Sequence, residues 1–403
     1  GLSMTESCAA TESGAVWCWG RKKVENIVET DIEKTQSYIL SAASIRSQIR
    51  EINFPSGGGT ITKIASGALH HCGMTGATNN EPEMFCWGSS QFKQFASQDS
   101  YYETAVKISI PTSNNRVQTL QDVQLGRVHS CFLTEDKNTP TSGLKEKNVY
   151  CWGPLNRNQF TVPPPSGQTY TVITAPSKVD FAIPTTSSGT TTNPKIVLQN
   201  FAVGFDQTCG ITAPPTSGQQ LTRHFCFGPA EYLSNLQAIS FGATKDSMDL
   251  GLGKNKICGI STLTTETTPN LKCFTLNATG NTNPSEIHLI TTGNDAGNFS
   301  SIHMGDDFSC TLTSNKKVWC WGNGQLGQLG NGSLTDSSLP IPLPLENIVQ
   351  VKLGLVHGCA LKADGQIYCW GLNYDGQVGQ GFWAKRSIST PIAFPPPEGS
   401  VQP

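Results

Sequence analysis

The chain has 403 residues, of which 14% are charged and 37% are hydrophobic, and its formal net charge is −2. This balance lacks the basic surface that phosphate binding requires, so it argues against nucleic acid as a partner. No apolar run is long enough to cross a bilayer, which argues against direct membrane insertion of this segment. The 40 glycines and 24 prolines favour a turn-rich, all-β chain.

The first predicted element is a hairpin near residues 1–20, which ends in Cys18-Trp19-Gly20. The segment 31–49 has apolar residues at helical spacing but no clear C-terminal stop. A helix and an enlarged loop after the first Cys-Trp-Gly are both compatible with this segment, and both interpretations stay open. Six further repeat cores are predicted near 67–88, 126–153, 204–228, 253–274, 305–330 and 354–379.

The last two cores are the clearest copies of the repeat, because their equivalent residues lie 49 positions apart. Each contains Gly-x-x-x-x-Cys, then a stretch that ends in Cys-Trp-Gly, then a turn such as Gly376-Gln377-Val378-Gly379. A fixed period of this size indicates stacked supersecondary units, as in a solenoid or a propeller. The Gly-x-x-x-x-Cys phrase begins at Gly67, Gly126, Gly204, Gly253, Gly305 and Gly354.

The 14 cysteines form seven successive pairs, and in five pairs the second cysteine opens Cys-Trp-Gly. The two cysteines of a pair are 10 to 20 positions apart, and the sequence has no Cys-x-x-Cys. Zinc sites prefer short, fixed spacings, so this pattern favours disulfides and an oxidising compartment over metal binding. The predicted disulfides are Cys8–Cys18, Cys72–Cys86, Cys131–Cys151, Cys209–Cys226, Cys258–Cys273, Cys310–Cys320 and Cys359–Cys369.

Each predicted disulfide joins two antiparallel strands. In the last repeat, Asp364-Gly365 is a tight-turn signal between an apolar run and the alternating segment 366–370. Directly opposed Cα atoms in an antiparallel pair are about 4.5–5.5 Å apart, which suits a disulfide. The variable separation within the pairs then reflects hairpin tips of different length.

These motifs resemble the regulator-of-chromosome-condensation-type (RCC1-like) repeat family. The resemblance rests on Gly354-Leu-Val-His-Gly-Cys-Ala-Leu361, Gly365-Gln-Ile-Tyr-Cys-Trp-Gly371 and Gly376-Gln-Val-Gly379. Cysteines in both strands are similar to a secreted branch of the family, which includes the crinkly-type ectodomains of plant receptor kinases. The resemblance is weaker in repeats four and five, where Phe227 and Phe274 stand in place of Trp. It implies one domain over 1–403, a seven-bladed β-propeller with one disulfide-bridged hairpin per blade and long inter-strand loops.

The ends of the chain fit a ring that closes within one blade. Residues Ser400-Val401-Gln402 resemble Ile348-Val349-Gln350, and the chain opens with Gly1-Leu2-Ser3 as though continuing that unit. We therefore expect blade closure by the N- and C-termini, which protects sheet edges. Because the first residue is not Met, we expect that a secretion signal was removed or lies outside this sequence. The predicted localisation is secreted, extracellular or at the cell surface.

Two kinds of surface site are predicted in the loops. Asn-x-Ser/Thr sequons occur at Asn277, Asn298 and Asn331, and we expect at least one of them to carry a glycan. Phe382 and Trp383 lie outside the repeat phrase. This aromatic pair is a candidate binding anchor or, alternatively, a loop plug over the core.

No motif indicates a catalytic or cofactor-binding site. Gly322-Asn-Gly324-Gln-Leu-Gly327 matches the dinucleotide-binding pattern, but turn-like residues follow it instead of a helix. His70, His129 and His357 occupy one position of the repeat, which favours a repeated hydrogen bond to a neighbouring strand over catalysis. A metal or an anion in the central channel stays a minor alternative. We predict no catalytic residue, no cofactor and no bound metal.

The leading hypothesis is a non-catalytic extracellular interaction or structural module, a glycosylated component of a matrix, a surface appendage or a filament. Its partners would be other extracellular proteins or copies of itself. The alternative is the ligand-binding ectodomain of a cell-surface receptor, as the crinkly-type resemblance implies. A cytosolic or nuclear exchange factor, the best-known role in the family, conflicts with the paired cysteines. A glycan hydrolase would require two carboxyl groups about 5–9.5 Å apart in one cleft.

Overall fold

A computed structural model describes residues 1–20, 49–55, 59–76, 81–95, 101–111, 118–137, 147–155, 172–179, 198–212, 224–228, 237–239, 244–263, 269–275, 285–287, 298–379 and 385–392. Every regular element in these ranges is a β-strand. Accordingly, the described part of the chain contains no helix that could cross a bilayer. The possible helix at 31–49 stays open, because 31–48 lies outside the described residues.

The described strands form seven antiparallel sheets, in which strands that follow each other in the chain are hydrogen-bonded neighbours. The first sheet consists of β1 (Glu6–Ala10), β2 (Val16–Gly20) and β3 (Arg50–Glu51). The second consists of β4 (Ile61–Ser66), β5 (His70–Thr75), β6 (Met84–Ser89) and β7 (Tyr101–Ile108). The third consists of β8 (Gln118–Leu125), β9 (Ser130–Asp136), β10 (Lys147–Pro154) and β11 (Val172–Lys178).

The remaining four sheets have the same order of four strands. The fourth consists of β12 (Leu198–Val203), β13 (Thr208–Thr212), β14 (His224–Phe227) and β15 (Gln237–Ile239). The fifth consists of β16 (Thr244–Leu252), β17 (Lys256–Leu263), β18 (Asn270–Thr275) and β19 (Ser285–Ile287). The sixth consists of β20 (Phe299–Met304), β21 (Phe308–Thr313), β22 (Val318–Gly322) and β23 (Ser337–Pro342). The seventh consists of β24 (Ile348–Leu353), β25 (His357–Lys362), β26 (Ile367–Gly371) and β27 (Arg386–Pro391).

The seven sheets are the blades of a β-propeller, so the predicted all-β, seven-bladed fold is confirmed. Consecutive blades contact each other through their first strands, as β4 does with β8, β12 with β16, and β20 with β24. These first strands line a central channel. We call the following two strands of each blade, such as β21 and β22, its middle hairpin; in the first blade the middle hairpin is β1 and β2.

The middle hairpin of every blade carries one disulfide, between the two cysteines paired from the sequence. In each blade these cysteines are directly opposite residues of the antiparallel register, as in Cys310↔Cys320. Their Cα atoms are 4.0–4.2 Å apart. All fourteen cysteines are buried and none is free. The disulfides therefore lie inside the blades, where a dissolved reductant does not reach them without opening the fold.

The tryptophan of Cys-Trp-Gly packs between blades. The Trp370 side chain belongs to the same buried cluster as Leu329 of the preceding blade, and its indole N–H donates to the Gln328 carbonyl at 2.8 Å. The Trp19 indole N–H donates in the same way to the Gln377 carbonyl at 2.9 Å. The Gly-Gln-x-Gly turn of one blade thus accepts a hydrogen bond from the next blade, which satisfies the buried indole donor.

The seventh blade packs against the first, which closes the ring. Leu2 and Trp19 share a buried cluster with Val378 and Ile392. Residues Gly1 and Leu2 occupy the inner position beside β1, where Leu2 bridges Ser7. Residues 393–403 lie outside the described residues, so the expected contribution of the C-terminus to the closing blade stays a prediction.

We predict that removing one middle-hairpin disulfide lowers stability without changing the fold. The double variant Cys310→Ala/Cys320→Ala releases a short loop in the unfolded chain, and its unfolding free energy should fall by about 3 kcal/mol. Denaturant unfolding followed by tryptophan fluorescence measures this difference. The matched control Ser338→Ala, at an exposed position of the same blade, should leave stability unchanged. Equal midpoints for the double variant and the control would contradict a structural role for the disulfide.

Candidate functional site

A turn between the first and second strands of each blade surrounds one mouth of the central channel. In six blades the turn begins with the glycine of Gly-x-x-x-x-Cys, whose N–H donates to the carbonyl three residues later, as Gly126 does to His129 at 2.9 Å. In the first blade Ser3 takes the place of glycine and donates to Glu6 at 2.8 Å. Neighbouring turns are also joined, since the Ala68 N–H donates to the Arg127 carbonyl at 3.0 Å. The mouth is therefore lined by turns, several of which are hydrogen-bonded to the turn of the next blade.

In the turns that begin at Gly67, Gly126, Gly305 and Gly354, glycine is required because an aromatic ring and the next blade both approach its Cα. A Cβ atom added to Gly126 would lie 2.0 Å from Cε1 of His129 and 2.7 Å from the Gly204 carbonyl oxygen. A Cβ added to Gly354 would meet His357 at 2.5 Å in the same way. These distances are shorter than van der Waals contact. The glycine of the Gly-x-x-x-x-Cys motif is therefore explained by close packing between blades.

The repeated histidines link neighbouring blades, as the sequence predicts. Each histidine ring shares a hydrogen bond with the hydroxyl group of a serine or threonine in the next blade. This serine or threonine comes directly before the first cysteine of that blade. The His70 Nε2 lies 2.9 Å from the Ser130 Oγ, and the His129 Nε2 lies 3.0 Å from the Thr208 Oγ1. The third copy joins the last blade to the first, where the His357 Nε2 lies 3.0 Å from the Ser7 Oγ.

These three histidines are held in the neutral state. Burial lowers the pKa of His129 to about 3, with a smaller contribution from the Arg127 guanidinium. Burial likewise lowers the pKa of His357 to about 3 and that of His70 well below its usual range. A neutral imidazole that is locked to a hydroxyl and completely buried serves packing, because no substrate or metal can reach it.

The junction between the first and second blades has a different set of partners at the same two positions. Glu6 stands where the second, third and seventh blades have histidine, and His71 stands where the blades that follow those three have serine or threonine. The His71 Nε2 lies 3.2 Å from the Glu6 carboxylate, which is also paired with the guanidinium of Arg50. The His71 Nδ1 lies 2.6 Å from the Ser66 Oγ, and its ring stacks on Trp87 with centroids 5.8 Å apart.

The chain of side chains at this first junction links the channel wall to the outer strands. Ser66 lines the channel, whereas Arg50 lies in β3 and donates to the Tyr101 hydroxyl of β7 at 2.9 Å. Burial lowers the pKa of His71, although the Glu6 carboxylate opposes this effect. The serine, histidine and carboxylate are in the order of a hydrolytic triad. Nevertheless, the guanidinium neutralises the carboxylate and Gly1 packs against the serine hydroxyl, so the group is built as a blade junction.

The channel itself has a volume of about 380 Å³ and a polar wall. Its wall includes two positions of the first strands, nine and seven residues before the first cysteine of each repeat. The position nine residues before the cysteine supplies Lys63, Asp122 and Asp249. The position seven residues before it supplies Gln124, His303 and Lys352.

Most of these polar groups are engaged with a neighbouring blade. The Lys63 ammonium pairs with the Asp122 carboxylate. The Asp249 carboxylate accepts from the Ile302 N–H of the next blade at 2.9 Å. The Gln124 side-chain amide donates to the Phe201 carbonyl of β12 at 3.0 Å, and its oxygen accepts from the Val203 N–H of the same strand, β12. The charged wall thus acts as a set of links between first strands.

Lys352 is a channel lysine whose surroundings disfavour its charged form. Burial lowers the pKa of its ammonium, and the nearby Lys63 lowers it further, whereas Asp249 opposes the shift. Burial also lowers the pKa of the adjacent His303 to about 3 and raises the pKa of Asp249. Burial in the channel thus disfavours the charged forms of all three groups.

Charged side chains lie at the channel mouth. The Arg127 guanidinium forms a buried two-point ion pair with Asp206, at 3.1 and 2.9 Å, and lies 4.8 Å from the centroid of the Phe205 ring. The half-buried Asp306 lies in the turn of the sixth blade, where burial and the neighbouring Asp307 raise its pKa to about 6. The apolar cluster Met4, Ala68, Leu69, Val128, Phe92 and Leu355 contributes Ala68 and Leu355 to the channel lining.

A metal site is not formed by the described residues that come closest to one. The group with the required proximity is Glu6 with Cys8 and Cys18. The two sulfurs of this group are joined in a disulfide and cannot act as thiolate ligands.

Two of the predicted surface sites fall on described residues. Asn298 is exposed directly before β20, and Asn331 is half-buried in the turn that follows β22. Asn277, Phe382 and Trp383 lie outside the described residues. Glycosylation at all three sequons and the aromatic binding anchor stay predictions.

The channel residues and the Glu6–His71 junction are not singled out by any sequence motif. The signal that locates them is their constant distance from the first cysteine, which becomes visible when the repeats are superimposed position by position.

We predict that Gly126→Ala destabilises the ring. The added methyl group must displace the His129 ring or the next blade, so the unfolding free energy should fall by about 2 kcal/mol or more. The matched control is Gly59→Ala, whose new Cβ would meet its nearest neighbour at an ordinary 3.4 Å. Thermal and denaturant unfolding of both variants measure the difference. The idea is wrong if Gly126→Ala is as stable as the control.

We also predict that acid weakens the blade junctions through the buried histidines. The unfolded chain binds a proton at each histidine near pH 6.5, whereas folded His357 stays neutral down to about pH 3. The unfolded chain therefore binds more protons between these values, and stability is lost as pH falls through that window, by up to about 1.4 kcal/mol per pH unit for each histidine.

The variant His357→Gln tests this linkage, because glutamine can hydrogen-bond Ser7 but does not titrate. Its unfolding free energy should fall less steeply between pH 6.5 and 4 than that of the parent protein. Above pH 7 the two curves should run parallel, which provides the internal control. Identical slopes at acid pH would show that His357 does not contribute.

Comparisons with known proteins agree with this repeat geometry. The sequence model of the regulator of chromosome condensation (RCC1) repeat matches residues 299–328 and 348–377, and a second model of the same repeat matches 316–361. No curated protein has a significantly similar sequence.

Three solved structures share the fold at low sequence identity. Prp20p from Saccharomyces cerevisiae is similar with a TM-score of 0.63 and 16% identity, over 96% of this chain and 88% of that one. Yeast RCC1 (Prp20) bound to Kap60 gives a TM-score of 0.59 and 17% identity, over 86% and 78% of the two chains. Human WBSCR16 gives 0.60 and 15%, over 86% and 85%.

The matches to the repeat models fall on the sixth and seventh blades, where the repeat phrase is most complete in the sequence. Assignment to the secreted, crinkly-type branch stays a prediction. The sixth and seventh blades are therefore similar to RCC1 repeats in sequence, and the chain as a whole shares its fold with the solved structures of Prp20p and WBSCR16.

Proposed function

We propose that this protein is a non-catalytic interaction module of the extracellular space, built into a matrix, a surface appendage or a filament. The observation that carries the proposal is the buried disulfide in each of the seven blades. Such a complete set of disulfides forms and persists in oxidising compartments and is rare in the cytosol.

The disulfides and the blade junctions favour a rigid scaffold over a catalytic machine. The ionisable side chains at the junctions are buried and paired with each other, as Arg127 is with Asp206 and Glu6 with Arg50. Catalysis requires groups that can reach a substrate, whereas these groups hold blades together. The loops at both ends of the ring are then free to vary, which suits binding to other extracellular proteins or to copies of the same chain.

The alternative is a ligand-binding ectodomain. It is favoured by the polar channel of about 380 Å³, whose lining includes charged side chains such as Asp306 and apolar ones such as Leu355. Cavities of this size accept small molecules, and mixed linings orient them. The receptor interpretation requires a small ligand or a peptide side chain to enter this channel.

An intracellular exchange-type role is the third candidate. Prp20p, whose fold is similar, binds Gsp1p and histones. For this chain to bind such partners inside the cell, its fold would have to be stable with reduced cysteines. Its net charge of −2 also offers little electrostatic attraction to basic partners.

The proposal is tested on native protein from its own source. Thiol titration in denaturant should detect no free cysteine, and unreduced peptide maps should show only the seven disulfides within blades. Electron microscopy of the native material should show rings incorporated into a polymer or matrix. Isolated rings tethered to membranes would favour the receptor function instead, and abundant free thiols would overturn the extracellular assignment.

A further inference from the structure

The exposed large apolar side chains of the described residues are confined to the sixth and seventh blades. They are Leu334, Leu339, Val349 and Ile388, and Ile388 is the most exposed of them at 56%. A branched aliphatic side chain exposed to this degree on an outer strand is a liability, because it offers a surface for non-specific association.

Ile388 lies directly beside a glycosylation sequon. The residues Asn331 and Ile388 form an antiparallel bridge between the turn of the sixth blade and the outer strand of the seventh. The Gly332 N–H donates to the Ser387 carbonyl at 2.7 Å, which fixes this register. Directly opposed residues of an antiparallel pair project to the same side, with Cβ atoms about 4.5–5.5 Å apart. The Asn331 side chain therefore stands next to the exposed Ile388 side chain.

The local geometry leaves the reactive atom of Asn331 available. Its Oδ1 accepts the Ser333 N–H at 3.1 Å, which closes an Asx turn across Asn331-Gly332-Ser333. The turn uses the amide oxygen and not the Nδ2. The half-buried position of Asn331 keeps the side chain at the surface while its backbone is held by the neighbouring blade.

We propose that Asn331 carries an N-linked glycan whose first sugars cover Ile388 and the nearby Leu334. This inference rests on the proposed function, since glycan transfer requires the secretory route. In the transfer, the Nδ2 attacks the anomeric carbon of a lipid-diphosphate-linked oligosaccharide and loses one proton to a base of the transferase. A C–N bond forms, the C–O bond to the diphosphate breaks, and the lipid diphosphate leaves with the electron pair. No oxidant or reductant takes part.

The glycan is a better occupant of this surface than a second protein chain. It is covalently placed at the residue that faces Ile388, so its local concentration is high without any loss of translational freedom. The C–H faces of its sugar rings can pack on the isoleucine while its hydroxyl groups face water. Asn298 provides the comparison, because it lies at the opposite end of the sixth blade, beside Ser314, and away from Ile388.

The primary test is peptide mapping of the unsubstituted protein secreted from eukaryotic cells. Digestion with peptide-N-glycosidase in heavy-oxygen water should label Asn331 as a former glycosylation site. An unlabelled Asn331 in a protein whose seven disulfides have formed would overturn this inference and leave the proposed function standing. Free thiols in the secreted protein would overturn the proposed function and, with it, this inference.

The shielding of Ile388 is tested with two variants that remove the glycan in different ways. Asn331→Gln removes the acceptor, whereas Ser333→Ala keeps the asparagine and removes the hydroxyl of the sequon. Both should lose one glycan mass, bind more apolar dye and self-associate at lower concentration than the parent. Asn298→Gln, the matched control, should bind dye like the parent.

Adding Ile388→Thr to Asn331→Gln should return dye binding to the parental level, because threonine removes the exposed apolar surface. Persistent dye binding in this double variant would show that another surface is responsible and would overturn the shielding role.

Discussion

The disulfide inside each middle hairpin is the constraint on which the rest of the propeller depends. It fixes two strands in register regardless of the length of the tip between them, so the hairpin in which Cys131 and Cys151 are 20 positions apart adopts the same register as the tightest ones. Insertions then accumulate in loops without disturbing the blade. The fourth and fifth blades show the tolerance that results, since Phe227 and Phe274 replace the usual tryptophan and remain buried.

The blades have similar strand arrangements, but the side-chain contacts between neighbouring blades differ from junction to junction. Three junctions use a neutral histidine and a hydroxyl, the first uses Glu6 with His71 and Arg50, and the third adds the buried pair of Arg127 with Asp206. Each pairing satisfies buried polar groups that would otherwise be costly to desolvate. The second and third junctions share the histidine and hydroxyl pair, whereas the first junction has its own set of partners, so these contacts distinguish some neighbouring blades and not others.

Local signals predict the parts of this protein that repeat, and they fail for the parts that do not. The cysteine spacing gave the middle hairpins, and the common position of His70, His129 and His357 gave the contact between blades. The channel wall was not foreseen, because Lys352 and Asp122 approach each other only when distant blades close into a ring. Their distance from the first cysteine was visible in the sequence. However, other repeats have different residue types at the same positions, so no repeated motif identifies these charged residues as part of the channel wall.

The distribution of charge supports the proposal that the loops, and not the channel, carry the binding surfaces. A ligand entering the channel would have to compete with the blade-to-blade bonds already made by Asp249, Gln124 and Lys63. Breaking such a bond exposes a buried group and weakens the ring itself, so tight binding there works against stability. Surface turns have no such conflict. A scaffold that uses its inner polar residues for cohesion can change its outer loops freely, which is the property required of a rigid interaction module.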